Sequence, residues 1–480
     1  MSTTQKIASN TAVQVAGKIL ATFLGLLGVG MMTRYLGAEQ FGWYITTISF
    51  LQFIGICIDF GMVPVTAQML SEPRFDKKKL FQNLLAFRFF TAIIFLAFAP
   101  FIALFFPYPT EVKIAISFTS IAFVAISMNQ VFIGLYQERL KTHIYALGEV
   151  LSRVLLVGGF FLAIQFQESF LTIMGVVTLS SVAYAAFLWI QAHRMTPATF
   201  AFDKEIWKAI MHKMWPIAIS ILFNVIYLKG DIVLLSLFSN QETVGLYGAV
   251  YRVIDMLTQT AMLFMGIMLP LLGYAWSRKE YQLFYTRYQQ SFDILMMLSI
   301  PLVIGTFLLA KPLMALIAGT SFVTGQTGIL MTHALQILSL AVFGVYLGAI
   351  FGHVAVSIDK QKQTMWIYIS NAILTLGGYV YFIPKYGMYG AAGMTLFSEL
   401  YAGILLWLVI RKYTQKSLSL KALLKMIVAG AGMGGVLLIL PSVHILITII
   451  IGAVTYGAFL LLFRVISIQT IKEIFSSPSS

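Results

Sequence analysis

The 480-residue chain has one cysteine, Cys57, and only 10% of its residues are Asp, Glu, Lys or Arg. A lone cysteine excludes an internal disulfide and leaves the redox compartment open. A soluble domain is about 25% charged, so so sparse a charge excludes an ordinary water-solvated surface. Long polar joins are also missing, which excludes a folded extramembrane domain of any size. His333 and His353 stand in one apolar run without a second ligand pattern such as HExxH, so neither a metal site nor a cofactor is expected. The roughly ten-residue apolar alternation of a lipid-facing barrel is absent too.

What is present is apolar: 59% of residues are hydrophobic and the mean hydropathy is +0.88. Repeated runs of roughly 20 apolar residues predict an all-α, polytopic integral membrane protein. The runs carry Gly and Pro, as transmembrane helices tolerate. We place about fourteen transmembrane helices, at 12–33, 41–62, 81–106, 112–136, 143–165, 169–192, 214–238, 244–272, 290–317, 327–356, 364–384, 388–411, 422–440 and 443–464. Lys6 precedes the first run and Lys18 lies within it, with no small-residue cleavage site, so it reads as a retained span rather than a removed signal peptide. With the N-terminus inside, alternate joins such as "SEPRFDKKK", "QERLKTH" and "RKYTQKSLSLKALLK" face the cytoplasm. About 23 of the 32 Lys and Arg then lie on that side, and roughly four on the side of "GAEQ", "PYPTEV" and "QFQES". Both termini are therefore expected in the cytoplasm of a bacterial inner membrane. The net charge of +14 reflects this asymmetry, not a nucleic-acid partner. Trp43, Tyr44, Trp207, Trp215 and Trp276 fall near span ends, where interfacial aromatics belong.

Two segment pairs repeat. "AEQFGWYITTI" (38–48) matches "QETVGLYGAVY" (241–251), aligning Gly42-Trp43-Tyr44 with Gly245-Leu246-Tyr247. "LLVGGFFLAIQF" (155–166) matches "LTLGGYVYFIPK" (374–385). In span order 2 pairs with 8 and 5 with 11, a common displacement of six helices. Six is even, so the halves keep one orientation, a parallel repeat of the kind seen in transporters. The expected organisation is an N-lobe (1–193, helices 1–6), a C-lobe (194–412, helices 7–12), and a terminal helix pair with a cytoplasmic tail (413–480).

Ionisable groups inside spans cost about 2.5–3.5 kcal/mol each at a helix centre and are read as functional by default. The cations are Lys18, Arg88, Arg153, Lys229 and Arg252; the acids are Glu149, Asp231, Asp255 and Glu399, with Asp59 near the inner end of the second span. Lys18 and Arg88 are shallow enough to snorkel, so an anchor and a cavity role are both open. Glu149 and Arg153 share a face at i,i+4, and Arg252 and Asp255 at i,i+3, so structural pairing competes with a cavity-lining role. Taken together the cations suit phosphate oxygens, which Arg binds bidentately. The acids then answer a coupling ion or neutralise an empty site.

The chain resembles a Wzx-type polysaccharide flippase of the MOP superfamily, related to the lipid II flippase MurJ and the MATE exporters. The resemblance rests on "SNTAVQVAGKILATFLGLLGVGMMTRYLGAEQFGWY", "DFGM", "GDIVLLSLFSNQETVGLYGAVYRVID" and "PKYGMYGAAGMTLFSELYAG". It implies two six-helix lobes with two further helices. It implies transfer of an undecaprenyl-diphosphate-linked oligosaccharide, such as an O-antigen repeat unit, from the cytoplasmic to the periplasmic leaflet by alternating access. Basic groups of a central cavity would meet the diphosphate; Lys18, Arg88 and Arg252 take that role by resemblance, Arg153 and Lys229 by charge placement alone. Asn224, Tyr227, Gln259 and Asn371 are candidates for sugar contact. The partners implied are the lipid-linked glycan, the bilayer and polysaccharide polymerase machinery; no enzymatic activity is expected. Two alternatives remain: a MATE-like ion-coupled exporter, which wants a more acidic cavity, and a membrane glycosyltransferase or polymerase, which wants larger outer loops.

Overall fold

The computed structural model describes residues 3–59, 62–71, 75–441 and 443–465; side chains of 3–13, 15, 56–59, 64, 216–229 and 321 lie outside that description. Every regular element among these residues is helical. In chain order they are α1 (Thr3–Asp59), α2 (Met62–Ser71), α3 (Lys77–Leu104), α4 (Thr110–Glu138), α5 (His143–Gln165), α6 (Phe170–His193), α7 (Lys204–Phe238) and α8 (Gln241–Ser277). Then follow α9 (Tyr281–Leu308), α10 (Ala310–Ala318), α11 (Gly325–Ser357), α12 (Gln361–Tyr386), α13 (Met388–Thr414), α14 (Lys421–Ile439) and α15 (Ile445–Leu462).

Among the described residues, twelve helices are long and apolar enough to cross a membrane. The first of them, Ala16–Gly55, is two spans in one, because α1 kinks at Gly37 (φ 68°, ψ −178°). No atom crowds the Cβ position there. The requirement is the backbone angle, which glycine alone meets without strain. The 35-residue α7 is not among the twelve and contains the stretch expected as the seventh span.

Helix ends follow local chemistry. Asp76 caps α3 by accepting from Lys79 N, and Asp203 caps α7 by accepting from Glu205 N and Ile206 N. The ninth span runs nine residues earlier than its apolar pattern predicts. The ring of Pro312 would clash with the Leu308 carbonyl four residues back, so the helix stops at Leu308 and restarts as α10. Its early start is an amphipathic extension that buries Phe284 and Tyr288. The early start of α7 has the same cause, burying Ile206 and Ile210.

The chain divides into two compact units, Met1–Gly248 and Ala249–Ser480. In the first, α1 packs on α3, α4, α5 and α7, and α4 also holds α2, α3 and α6. One core gathers Phe81, Phe132, Tyr136, Leu188 and Ile206 toward the Lys- and Arg-rich side; another joins Phe50, Leu96, Tyr108 and Ile116 toward the opposite side. In the second unit α11 packs on α13 and α9, α12 on α13, and α14 on α9 and α15. Large apolar side chains stay exposed along the helices, Phe98 at 60%, Phe101 at 63% and Leu438 at 72%. Such a belt is untenable in water and natural against lipid.

The second sequence repeat has a packing counterpart. A Cβ on Gly158 or on Gly377 meets nothing within 4 Å, whereas one on Gly159 lands 2.4 Å from Val176 and one on Gly378 lands 2.2 Å from Met394. In each unit, then, the first glycine faces open space and the second lets the following helix, α6 or α13, approach closely.

Candidate functional site

In the first unit a polar seam runs between α1, α5 and α6. Gln14 and Lys18 lie four apart on α1, and Tyr145, Glu149 and Arg153 at the same spacing on α5, so each set forms a single face. The helices touch where Gly17 meets Ala146, whose Cβ would stand 3.2 Å from a Cβ on Gly17. That approach brings Lys18 Nζ to 3.0 Å from Glu149 Oε1, both groups half-buried. Gln14 Nε2 donates to the Tyr145 hydroxyl, and the Tyr184 hydroxyl donates to the Tyr145 carbonyl at 3.2 Å. The i,i+4 partner expected for Glu149 was Arg153; the structure gives it Lys18 of the neighbouring helix instead. Arg153, partly buried one turn on, has no ion-pair partner among the described residues.

Arg88 is 1% exposed between α3 and α4. Its Nε donates to the Ser127 carbonyl at 3.2 Å and its Nη2 to Gln130 Oε1. Asp231 is fully buried near the end of α7; Tyr247 donates its hydroxyl to Oδ2 at 2.8 Å, and Ile232 N donates to Oδ1 at 2.8 Å. In the second unit Arg252 Nη1 stands 4.0 Å from Asp255 Oδ2. Glu399 of α13 is 6% exposed, under α11, where a Cβ on Gly344 would meet its carbonyl carbon at 2.7 Å. Asn371 is fully enclosed: Nδ2 donates to the Ser398 carbonyl and Oδ1 accepts from Thr375. Its amide therefore joins α12 to α13 and is closed to a sugar. The side chains of Asp59, Asn224, Tyr227 and Lys229 lie outside the described residues.

Two arrangements escaped the sequence reading. The first is a reciprocal crossing of the repeated glycines. A Cβ on Gly42 would fall 1.8 Å from the Gln241 carbonyl oxygen, and one on Gly245 would fall 2.1 Å from the Ala38 carbonyl oxygen. In the repeat alignment 38 matches 241 and 42 matches 245, so each contact is the mate of the other, as local two-fold packing demands. Thr46 adds a hydrogen bond to Gln241 Oε1 at 2.6 Å. The second is a cleft of roughly 570 Å³ at the Gly37 kink, lined from α1, the start of α4 and the α5–α6 turn. Its signal in the sequence was the acid and amide content that three separate joins share.

A kinked first helix, a series of long apolar helices and ionisable groups buried among them define a polytopic membrane protein. Solved structures agree. The lipid II flippase MurJ in an inward closed conformation matches with TM-score 0.79 at 15% identity, over 94% of this chain and 99% of that one. An inward-facing MATE multidrug transporter of the MOP superfamily matches with TM-score 0.66 at 15% identity, over 84% and 98%. A MOP superfamily transporter from Pyrococcus furiosus matches with TM-score 0.61 at 14% identity, over 86% and 96%. At these identities the likeness is one of fold. The family model described as polysaccharide biosynthesis protein matches residues 7–276, and the chain belongs to that family. A search of curated proteins found no match.

Proposed function

We propose that the protein is a flippase for an undecaprenyl-diphosphate-linked oligosaccharide, moving it from the cytoplasmic to the periplasmic leaflet of a bacterial inner membrane by alternating access. The observation that carries the reading is membership of the polysaccharide biosynthesis family on a fold shared with a lipid II flippase. The charge pattern supports it. Lys18, Arg153, Lys229 and Arg252 are the cations offered to the diphosphate, with Arg88, enclosed by Ser127 and Gln130, reachable only if α3 and α4 part during the cycle; Asp59, Glu149, Asp231, Asp255 and Glu399 are the acids that hold the empty site neutral or answer a coupling ion. Lys18 and Arg252 each lie beside one such acid. An arriving diphosphate competes for the cation and leaves the acid free to take up a proton or a metal ion. The lobes keep the boundaries 1–193 and 194–412, with 413–480 as a terminal pair and tail, both termini cytoplasmic. A polysaccharide polymerase is the downstream partner.

Arg252→Ala tests it. The expected outcome, with the variant present in the membrane at wild-type level, is loss of surface polysaccharide and accumulation of lipid-linked units in the inner leaflet. Normal display by this variant refutes the assigned role. A MATE-like exporter is the second reading, favoured by the buried carboxylates of Asp231 and Glu399. It requires instead that Arg252→Ala spare display and alter resistance to organic cations.

A further inference from the structure

We infer that the cleft at the Gly37 kink is a glycan-binding subsite on the arrival side of the membrane. The inference rests on the flippase reading and its orientation. The cleft collects Tyr35, Gln40, Trp43, Glu111, Gln167 and Glu168, which come from three joins of the Lys- and Arg-poor side. No Lys or Arg lines it. A diphosphate gains nothing there, so its chemistry is complementary to that of the intramembrane cations.

Its lining is that of a sugar site. Tyr35 and Trp43 supply ring faces for the C–H face of a pyranose. Trp43 is set edge-on against Phe170, with centroids 5.4 Å apart, which fixes its plane. Trp43 Nε1 is buried without a hydrogen-bond partner, so Trp43 offers the cleft its ring and not its N–H. Among the described residues the side chains of Gln40, Glu111 and Gln167 make no hydrogen bond or ion pair with the protein, so amide donors and amide and carboxylate acceptors face the cleft free. The Tyr35 hydroxyl donates to the Glu168 carbonyl at 2.8 Å and Thr172 donates to Glu168 Oε2 at 3.1 Å, so the α5–α6 turn is tied to α1 before any ligand arrives. The volume falls within the roughly 300–1,000 Å³ of small-molecule sites. A divalent cation is the poorer occupant: no group of three His, Cys, Asp or Glu able to hold a metal occurs among the described residues. In the cycle the subsite gives the leading sugars hydroxyl partners on the far side while the diphosphate is still held by the cations, which favours forward passage.

The test uses the full chain in nanodiscs and, as probe, the oligosaccharide released by mild acid from the host's own lipid-linked pool. Binding is read by saturation-transfer NMR for the wild type and for the triple variant Trp43→Phe, Glu111→Gln, Gln167→Ala, each checked for an unchanged thermal midpoint. Wild-type binding that inorganic pyrophosphate does not displace, and that falls at least tenfold in the triple variant, supports the subsite. Equal binding by the variant, displacement by pyrophosphate, displacement by tetraethylammonium, or no binding by the wild type overturns it. Surface polysaccharide in the Arg252→Ala strain separates the two claims: if display is lost there while the triple variant binds as the wild type does, the flippase stands and the subsite falls.

Discussion

Substituting Gly42 by Ala inserts one methyl group where the chain has no room. That carbon would stand 1.8 Å from the Gln241 carbonyl oxygen, and the reciprocal change at Gly245 would stand 2.1 Å from the Ala38 carbonyl oxygen. Contacting heavy atoms settle near 3.5 Å, so the second arm of α1 and the start of α8 must separate by about 1.5 Å. The neighbouring atoms are backbone, which has no rotamer to yield. Overpacking of this kind costs about 1–3 kcal/mol. If the crossing is closed in one state of an alternating-access cycle and open in the other, the same energy shifts that equilibrium about 5- to 150-fold toward the open state. The assay is cross-linking. With the single Cys57 replaced by Ser, Ala38→Cys and Gln241→Cys are joined by a short bifunctional thiol reagent in membranes. Gly42→Ala should cut the cross-linked fraction and lower polysaccharide display, whereas Gly25→Ala, whose Cβ meets nothing within 4 Å, should leave both unchanged. If Gly42→Ala cross-links and displays polymer like the parent, the close approach has no part in the cycle and the reasoning fails.

Two further outcomes are expected. Lys18→Met strands Glu149 half-buried and should lower stability by about 1–2 kcal/mol, between the near-zero worth of an exposed pair and the 3–5 kcal/mol lost on breaking a buried one. Adding Glu149→Gln should recover most of it, read as a double-mutant cycle of thermal unfolding in detergent; additive losses would contradict the pairing. At the Lys- and Arg-rich edge, the Lys79 ammonium bonded to Asp203 and, next, the Ile206 amide hold the Asp203 carboxyl below the usual carboxylate range. A depressed folded value means the ionised clasp contributes fully above the ordinary aspartate value of about 3.9 and is lost as pH falls through the folded value. Asp203→Asn keeps a capping side chain, so it should unfold earlier than the parent at pH 7 by a gap that narrows as pH falls below the ordinary aspartate value; a gap that does not change with pH would refute the electrostatic account.

The amount of this structure visible in the sequence follows from which forces are local. Span positions depend on runs of side chains meeting lipid, a property each segment carries alone, and they emerge within a few residues except where Pro312 or an amphipathic extension moves a helix end. The kink at Gly37 was visible only as a boundary between two spans, because a positive φ leaves no mark beyond the glycine itself. Pairing was less accessible. Glu149 and Arg153 share a face of one helix, and sequence spacing favours that match. The partner Glu149 takes, Lys18, is 131 positions away and is delivered by the Gly17–Ala146 approach.

The glycines at 42 and 245 carry this furthest. As letters they were evidence of duplication, two copies of a short motif at a displacement of six helices. In the fold they are a reciprocal approach: where two copies of a segment do pack on each other about a local two-fold, each contact has a mate. Only the residue without a side chain permits that on both copies at once. The reciprocal carbonyl contacts, 42 to 241 and 245 to 38, account for glycine at both sites, since a side chain on either would meet backbone of the other segment.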